Sequence, residues 1–104
     1  MTPDELFDGI AADLAPRGVT TGILFGKRAL KAHDKAFACL LGDNLAFKLG
    51  EGTPAHAEAL ALRGAELFDP SFKNHPFKDW VAVPERHAKQ WPNLAEAAMN
   101  SLPS

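Results

Sequence analysis

A glycine, a lysine and an arginine stand together at positions 26–28, directly after the apolar run Ile23-Leu24-Phe25. Such a trio after a β-rich stretch raises the prospect of a phosphate-gripping loop. That chemistry needs G-x-x-x-x-G-K-[ST] where a strand meets a helix: backbone amides wrap the phosphates, lysine meets their charge, and a hydroxyl holds magnesium. Here Gly22 precedes Gly26 by four residues where the motif needs five, and Thr21 fills the glycine position. Arg28 stands where the hydroxyl belongs, and the residues after it read as strand. The trio is therefore expected to be a tight turn or bulge between strands, with Gly26 supplying the conformational freedom.

Other reactive side chains show no catalytic spacing. His33, His56, His75 and His87 form no H-x-x-x-H pair, and the lone Cys39 has no C-x-x-C partner, so no metal site is expected. Cys39 lies in the apolar run Ala36-Phe37-Ala38-Cys39-Leu40-Leu41 and is expected to pack as a small hydrophobe. The carboxylates are scattered along the chain in the manner of solvated helix faces. No Gly-x-Ser-x-Gly nucleophile elbow occurs. The richest cluster runs from Phe68 to Trp80, where Phe68, Phe72, Phe77 and Trp80 alternate with Lys73 and Lys78. Aromatic rings interleaved with lysines can stack on single-stranded nucleic acid. The plainer reading is a loop pinned by its phenylalanines with its lysines in water.

The elements that would position these groups can be read from period and punctuation. Thr2-Pro3-Asp4-Glu5 is a capping box with proline at the first helical position. Leu6, Ile10 and Leu14 then recur at helical spacing, giving a helix over about 3–15. Between Val19 and Leu49 the pattern turns β, broken at His33-Asp34 and at Gly42-Asp43-Asn44, which predicts an antiparallel meander of about four strands. Thr53-Pro54 opens a second helix, expected to stop at Gly64. Glu66 to Phe77 reads as a loop, Lys78 to Val83 as a strand, and Pro84 to Gln90 as a short helix that Pro92 breaks or restarts. Leu94, Ala95, Ala98, Met99 and Leu102 mark one face of a last helix. In the late strand, Val81 and Val83 share one face and Trp80 the other, so valines in the core would make Trp80 an interface anchor on the outer face.

The 104 residues fit one domain, and 46% hydrophobic with 23% charged residues is ordinary globular composition. The net charge of −2 leaves no overall basic excess, so duplex binding would depend on a local patch. No apolar stretch nears the ~20 residues that cross a bilayer, and the N-terminus does not read as a signal peptide. A cytoplasmic protein that keeps off membranes is expected.

In order, the segments Ile23 to Leu30, Asp34 to Gly50, Gly64 to Phe72, Trp80 to Arg86 and Leu94 to Leu102 resemble the N-terminal domain of the TfoX/Sxy family, named for regulation of bacterial competence. Leu24 stands where that family has methionine, and Asp34 where a hairpin glycine is common. The helical C-terminal domain of longer members has no counterpart, so the expectation is a standalone TfoX-N-like domain over 1–104. The YjbR/MmcQ-like proteins, often described as DNA-binding, are similar in layout and are the nearest rival. The resemblance implies an α+β fold, an antiparallel sheet flanked by helices, with no catalytic residue and no cofactor. It implies a non-enzymatic regulatory or protein-interaction domain linked to transcriptional regulation, whose partner is another protein or a second copy. The alternative is nucleic-acid binding by Lys27, Arg28, Lys48, Lys73 and Lys78 near Trp80. A third reading is a small-ligand pocket between sheet and helices.

Overall fold

A computed structural model describes residues 2–69 and 77–102. Its first helix, α1 (Pro3–Leu14), starts on the expected capping box. The Glu5 amide donates to the Thr2 hydroxyl at 3.2 Å, and Glu5 Oε1 accepts from the Thr2 amide at 3.0 Å. Those Thr2 hydrogen bonds, the backbone one foremost, hold the Glu5 carboxyl below its ordinary pKa. The helix buries Phe7, Ile10 and Leu14. A 3-10 turn, Ala15–Arg17, comes next, and Gly18 at φ 91 turns the chain out of it.

The meander is present as β1 (Thr20–Leu24), β2 (Lys27–Ala32), β3 (Lys35–Leu41) and β4 (Asn44–Lys48). Three two-residue loops join these strands. Phe25 and Gly26 lie at φ 55 and 74, and His33 and Asp34 at φ 53 and 63. Both central residues left-handed is the signature of a type I′ hairpin turn. The third loop, Gly42-Asp43, has Gly42 alone at positive φ, 59, as a type II′ turn requires. Gly26 is thus half of a hairpin turn, as the sequence implied.

After β4 the chain forms α2 (Pro54–Leu60), β5 (Glu66–Phe68), β6 (Phe77–Pro84), a 3-10 stretch Glu85–Gln90, and α3 (Trp91–Asn100). Among the described residues, six antiparallel strands run in the order β1-β2-β3-β4-β6-β5. Two boundaries differ from the sequence reading. The second helix ends at Leu60 rather than at Gly64; its tail tightens so that Leu62 turns into the core while Leu60 stays exposed. Glu66–Phe68 is strand rather than loop. Leu67 pairs with Val81 there, and three residues are too few to show a period. Pro92 restarts the helix, as its missing amide donor allows, within the first turn of α3.

The helices cover one face of the sheet. Leu30, Phe37, Leu45, Phe47, Val81 and Val83 meet Phe7, Ile10, Trp91, Ala95 and Ala98 there in one buried cluster. Asp79 ties β6 to the loop after β4: its carbonyl accepts from Leu49 and Gly50 at 2.9 and 3.1 Å, and its carboxylate from the Glu51 amide at 2.8 Å.

Among the described residues the other face of the sheet is helix-free, and it buries a second, smaller cluster: Cys39, Ala46, Phe68, Trp80 and Ala82, with Leu24, Ala36 and Leu41 packed against it. The sheet reaches this state by bending. A register shift at Leu30/Lys31 and another at Leu67/Phe68 add local twist. The β1–β2 hairpin curls over the face, bringing the Leu24 carbonyl within 3.7 Å of Cys39 Sγ, two strands away. Small residues at 39, 46 and 82 leave room for that approach. Among the described residues, no helix is long and apolar enough to cross a membrane.

Candidate interaction surface

The curl carries Phe25, at the tip of the β1–β2 hairpin, across to aromatic residues of the last two strands. Its ring lies 5.3 Å from Phe77 and 6.3 Å from Phe68, centroid to centroid. Phe68 in turn meets Phe77 at 6.4 Å and Trp80 at 5.6 Å. These are tilted and edge-on contacts of the kind aromatic rings favour. Phe68 is fully buried, whereas Phe25 and Phe77 keep 49% and 40% of their surface in solvent. Ile23, two residues before Phe25, is 63% exposed.

Phe25 holds this place against local preference. The first position of a type I′ turn favours asparagine, aspartate or glycine, because a Cβ in the left-handed region crowds the following carbonyl at about 1–2 kcal/mol per residue. A bulky aromatic at φ 55, half in water, is a conformational expense with no compensating burial of the whole ring.

Of the six residues expected to bind, the five described ones are spread over β2, β4 and β6. Lys27 opens β2 at the end of the sheet carrying the β3–β4 turn. Lys48 closes β4 at the opposite end, where it pairs with Trp80, and Lys78 lies two residues before Trp80 on β6. Lys73 lies outside the described residues, as does Phe72 of the aromatic cluster. Arg28 faces the helices instead of the outer surface. Its guanidinium donates to Asp8 at 2.6 Å and Asp4 at 3.1 Å and sits 4.5 Å from the centre of the Phe7 ring. The Asp8 and Asp4 hydrogen bonds raise its pKa further. Trp80 is on the outer face, as the alternation required, but it is only 8% exposed beneath Phe68. It therefore cannot serve as the exposed anchor expected of it; the curl of the sheet, invisible to strand periodicity, buries it.

Arg28 is a strut between β2 and α1. Arg28→Ala is expected to cost about 1 kcal/mol, most of it from the contact over Phe7, since exposed ion pairs contribute little. Chemical denaturation in urea at low and high salt would show a loss that shrinks only slightly as salt rises.

Two of the histidines and the cysteine have structural partners. His56 Nε2 bonds the Lys78 carbonyl at 2.7 Å, and His87 Nε2 the Arg63 carbonyl at 2.8 Å. Among the described residues, no three His, Cys, Asp or Glu side chains assemble as a metal-ligand group. Burial pushes the Cys39 thiol up to about 11, with the Lys27 charge pulling weakly the other way. At neutral pH it is a protonated thiol in a packed site. Its folded value lies above the ordinary value of about 8.5, so the folded chain keeps a proton that the unfolded chain gives up. That contribution to stability is complete below the unfolded value and is lost as pH rises toward about 11. Between those limits, stability measured by urea unfolding should fall more steeply in the wild type than in Cys39→Ala.

A shallow groove of about 170 Å³ runs between α1 and the start of α3, lined by Leu6, Gly9, Ile10 and Pro92 with Glu5 and Asp13 on its rim. Ligand pockets usually span about 300–1,000 Å³, so this groove is small for a metabolite. Comparison with protein-family models, with curated proteins and with solved structures gives no match for this chain.

Sequence reasoning singled out Phe77 but passed over Phe25 and Ile23. A signal was there: Phe25-Gly26 between two β-rich runs has a two-residue hairpin's length with the wrong residue at its first position.

Proposed function

We propose that this chain is a non-enzymatic protein-interaction module whose contact surface is the aromatic tip formed by Phe25 and Phe77. The observation that carries the reading is Phe25 itself: a phenylalanine kept in the left-handed region and left half exposed beside a second half-exposed ring. Strained backbone tends to persist where function requires it, and rigid aromatics with two torsions are effective anchors in protein interfaces. A regulatory role connected with transcription rests only on the TfoX resemblance and is proposed on that basis. The partner is another protein, a class that includes a second copy of this chain. The nucleic-acid reading draws less support, because Arg28 is engaged by two carboxylates and Trp80 lies under Phe68.

Photo-crosslinking tests the proposal. A benzophenone amino acid at position 25, in the full chain in cells, should give a discrete protein adduct. The same group at Glu58, exposed on α2 in the other layer, should not. Equal labelling from both positions, or no adduct from either, would remove the basis for assigning this surface.

A further inference from the structure

The strand that leads to Phe25 is also an open edge. Among the described residues β1 pairs only with β2, and its Thr20, Thr21 and Ile23 are exposed. In a two-residue hairpin the residues flanking the turn form the hydrogen-bonded pair. Leu24, Gly22 and Thr20 therefore point their backbone groups at Lys27, Ala29 and Lys31, while the amides and carbonyls of Thr21 and Ile23 point away from the sheet. Edge strands are commonly shielded by brevity, by proline, by a bulge or by a charge on the strand itself. β1 has five residues, Thr-Thr-Gly-Ile-Leu, with none of these and with a regular register throughout. The opposite edge, β5, has three residues.

Charge marks what would fit. Lys27 and Lys31 project from β2 on the helix-free face, flanking β1. Lys31 pairs with Thr20, and its side chain reaches over Gly22, so close that a Cβ at position 22 would stand 2.9 Å from Lys31 Cε. Neither lysine belongs to an ion pair among the described residues. The residues sharing that face on β1, β2 and β3, from Thr20 and Gly22 to Cys39 and Leu41, include no acid. On the other side of the strand, Ile23 offers an apolar contact beside Arg28, whose charge Asp4 and Asp8 already meet.

We infer that β1 captures an extended acidic segment of a partner protein by strand addition. The segment alternates carboxylates, facing Lys27 and Lys31, with apolar side chains facing Ile23. Main-chain bonds to Thr21 and Ile23 hold it, and the side-chain alternation selects it. The inference rests on the contact-surface reading above and names the chemistry of its partner. A second copy fits the edge less well, because antiparallel pairing of β1 with itself aligns Lys27 and Lys31 of both copies along one face, and like charges across strands repel.

The test uses the full chain, ¹⁵N-labelled, titrated at low salt with the acetylated, amidated peptide Thr-Glu-Val-Glu-Val-Glu-Thr. Expected are shifts centred on the Thr21 and Ile23 amides, with slowed hydrogen exchange there, and binding at least about tenfold weaker for the Thr-Lys-Val-Lys-Val-Lys-Thr peptide. Thr21→Pro removes an outward amide without touching the hairpin ladder and should abolish the shifts. Should that variant misfold, the peptide N-methylated on its edge-facing amides makes the same test on the wild-type protein and should not bind. Equal binding of the acidic and basic peptides, shifts away from β1, or a dimer that forms through β1 and shuts out the peptide would each overturn strand addition. So would a single-stranded oligonucleotide that outcompetes the acidic peptide for Lys27 and Lys31. Crosslinking from position 25 that persists without peptide binding at β1 would sink strand addition and leave the contact-surface reading standing; absence of both would sink both.

Discussion

Phe68→Ala is expected to lower unfolding stability by roughly 3–5 kcal/mol, the usual cost of emptying a buried phenylalanine site. Phe68 is fully buried and touches three other aromatic rings, those of Phe25, Phe77 and Trp80. It is the piece that joins the bent β1–β2 hairpin to the far edge of the sheet. Among the described residues no helix lies over this face to close the gap, so collapse around the missing ring is restricted to the hairpin itself. Natural domains hold only about 5–15 kcal/mol in total, so the loss is a large share. Urea unfolding should show a lower midpoint with little change in slope. The same substitution should uncover Trp80 and Cys39, seen as a red shift in tryptophan emission and faster thiol labelling.

Phe25→Asn is expected to separate folding from recognition. Asparagine suits the left-handed first position of a type I′ turn because its short side chain can hydrogen-bond locally, which offsets part of the about 1–2 kcal/mol of backbone strain. The variant forfeits ring contacts with Phe77 and Phe68 that are worth about 0.5–1.5 kcal/mol each at typical strengths. These terms oppose one another, so stability should stay within about 1 kcal/mol of the wild type. Capture of the crosslinked partner should fall by about tenfold or more, as it does when an aromatic anchor of an interface is truncated. Phe25→Ala keeps the strain and loses the ring, so it should be less stable than Phe25→Asn and equally poor at binding. Paired denaturation curves and partner titrations would reveal this order directly.

Much of the helix-facing layer was legible from residue order. The Thr2 capping box, the alternation Leu45-Phe47-Leu49 and the breaks at His33-Asp34 and Gly42-Asp43 each have a local cause, and each sits where expected. The opposite face was not legible in the same way. Strand period correctly puts Trp80 on the face away from Val81 and Val83, but it carries no information about how far a sheet bends. Bending here depends on two register shifts and on small side chains at Cys39, Ala46 and Ala82, which are non-local features. The same limit hid the fate of Arg28. Its neighbours in sequence suggested a basic patch with Lys27, yet successive strand residues face opposite ways, and Arg28 reaches Asp4 and Asp8 on α1. Phe25 belongs to no motif and to no strand period; its signal is the mismatch between its bulk and a left-handed turn position.

The placement of Phe25 against Phe77 underlies the proposed contact surface, and nuclear Overhauser spectroscopy on a sample with labelled phenylalanine rings reads it most directly. Ring centroids 5.3 Å apart should give strong cross-peaks between the two side chains, with further peaks from Phe25 to Phe68. Phe25 resonances at random-coil positions, with no cross-peak to either ring, would mean that the hairpin does not fold over the sheet.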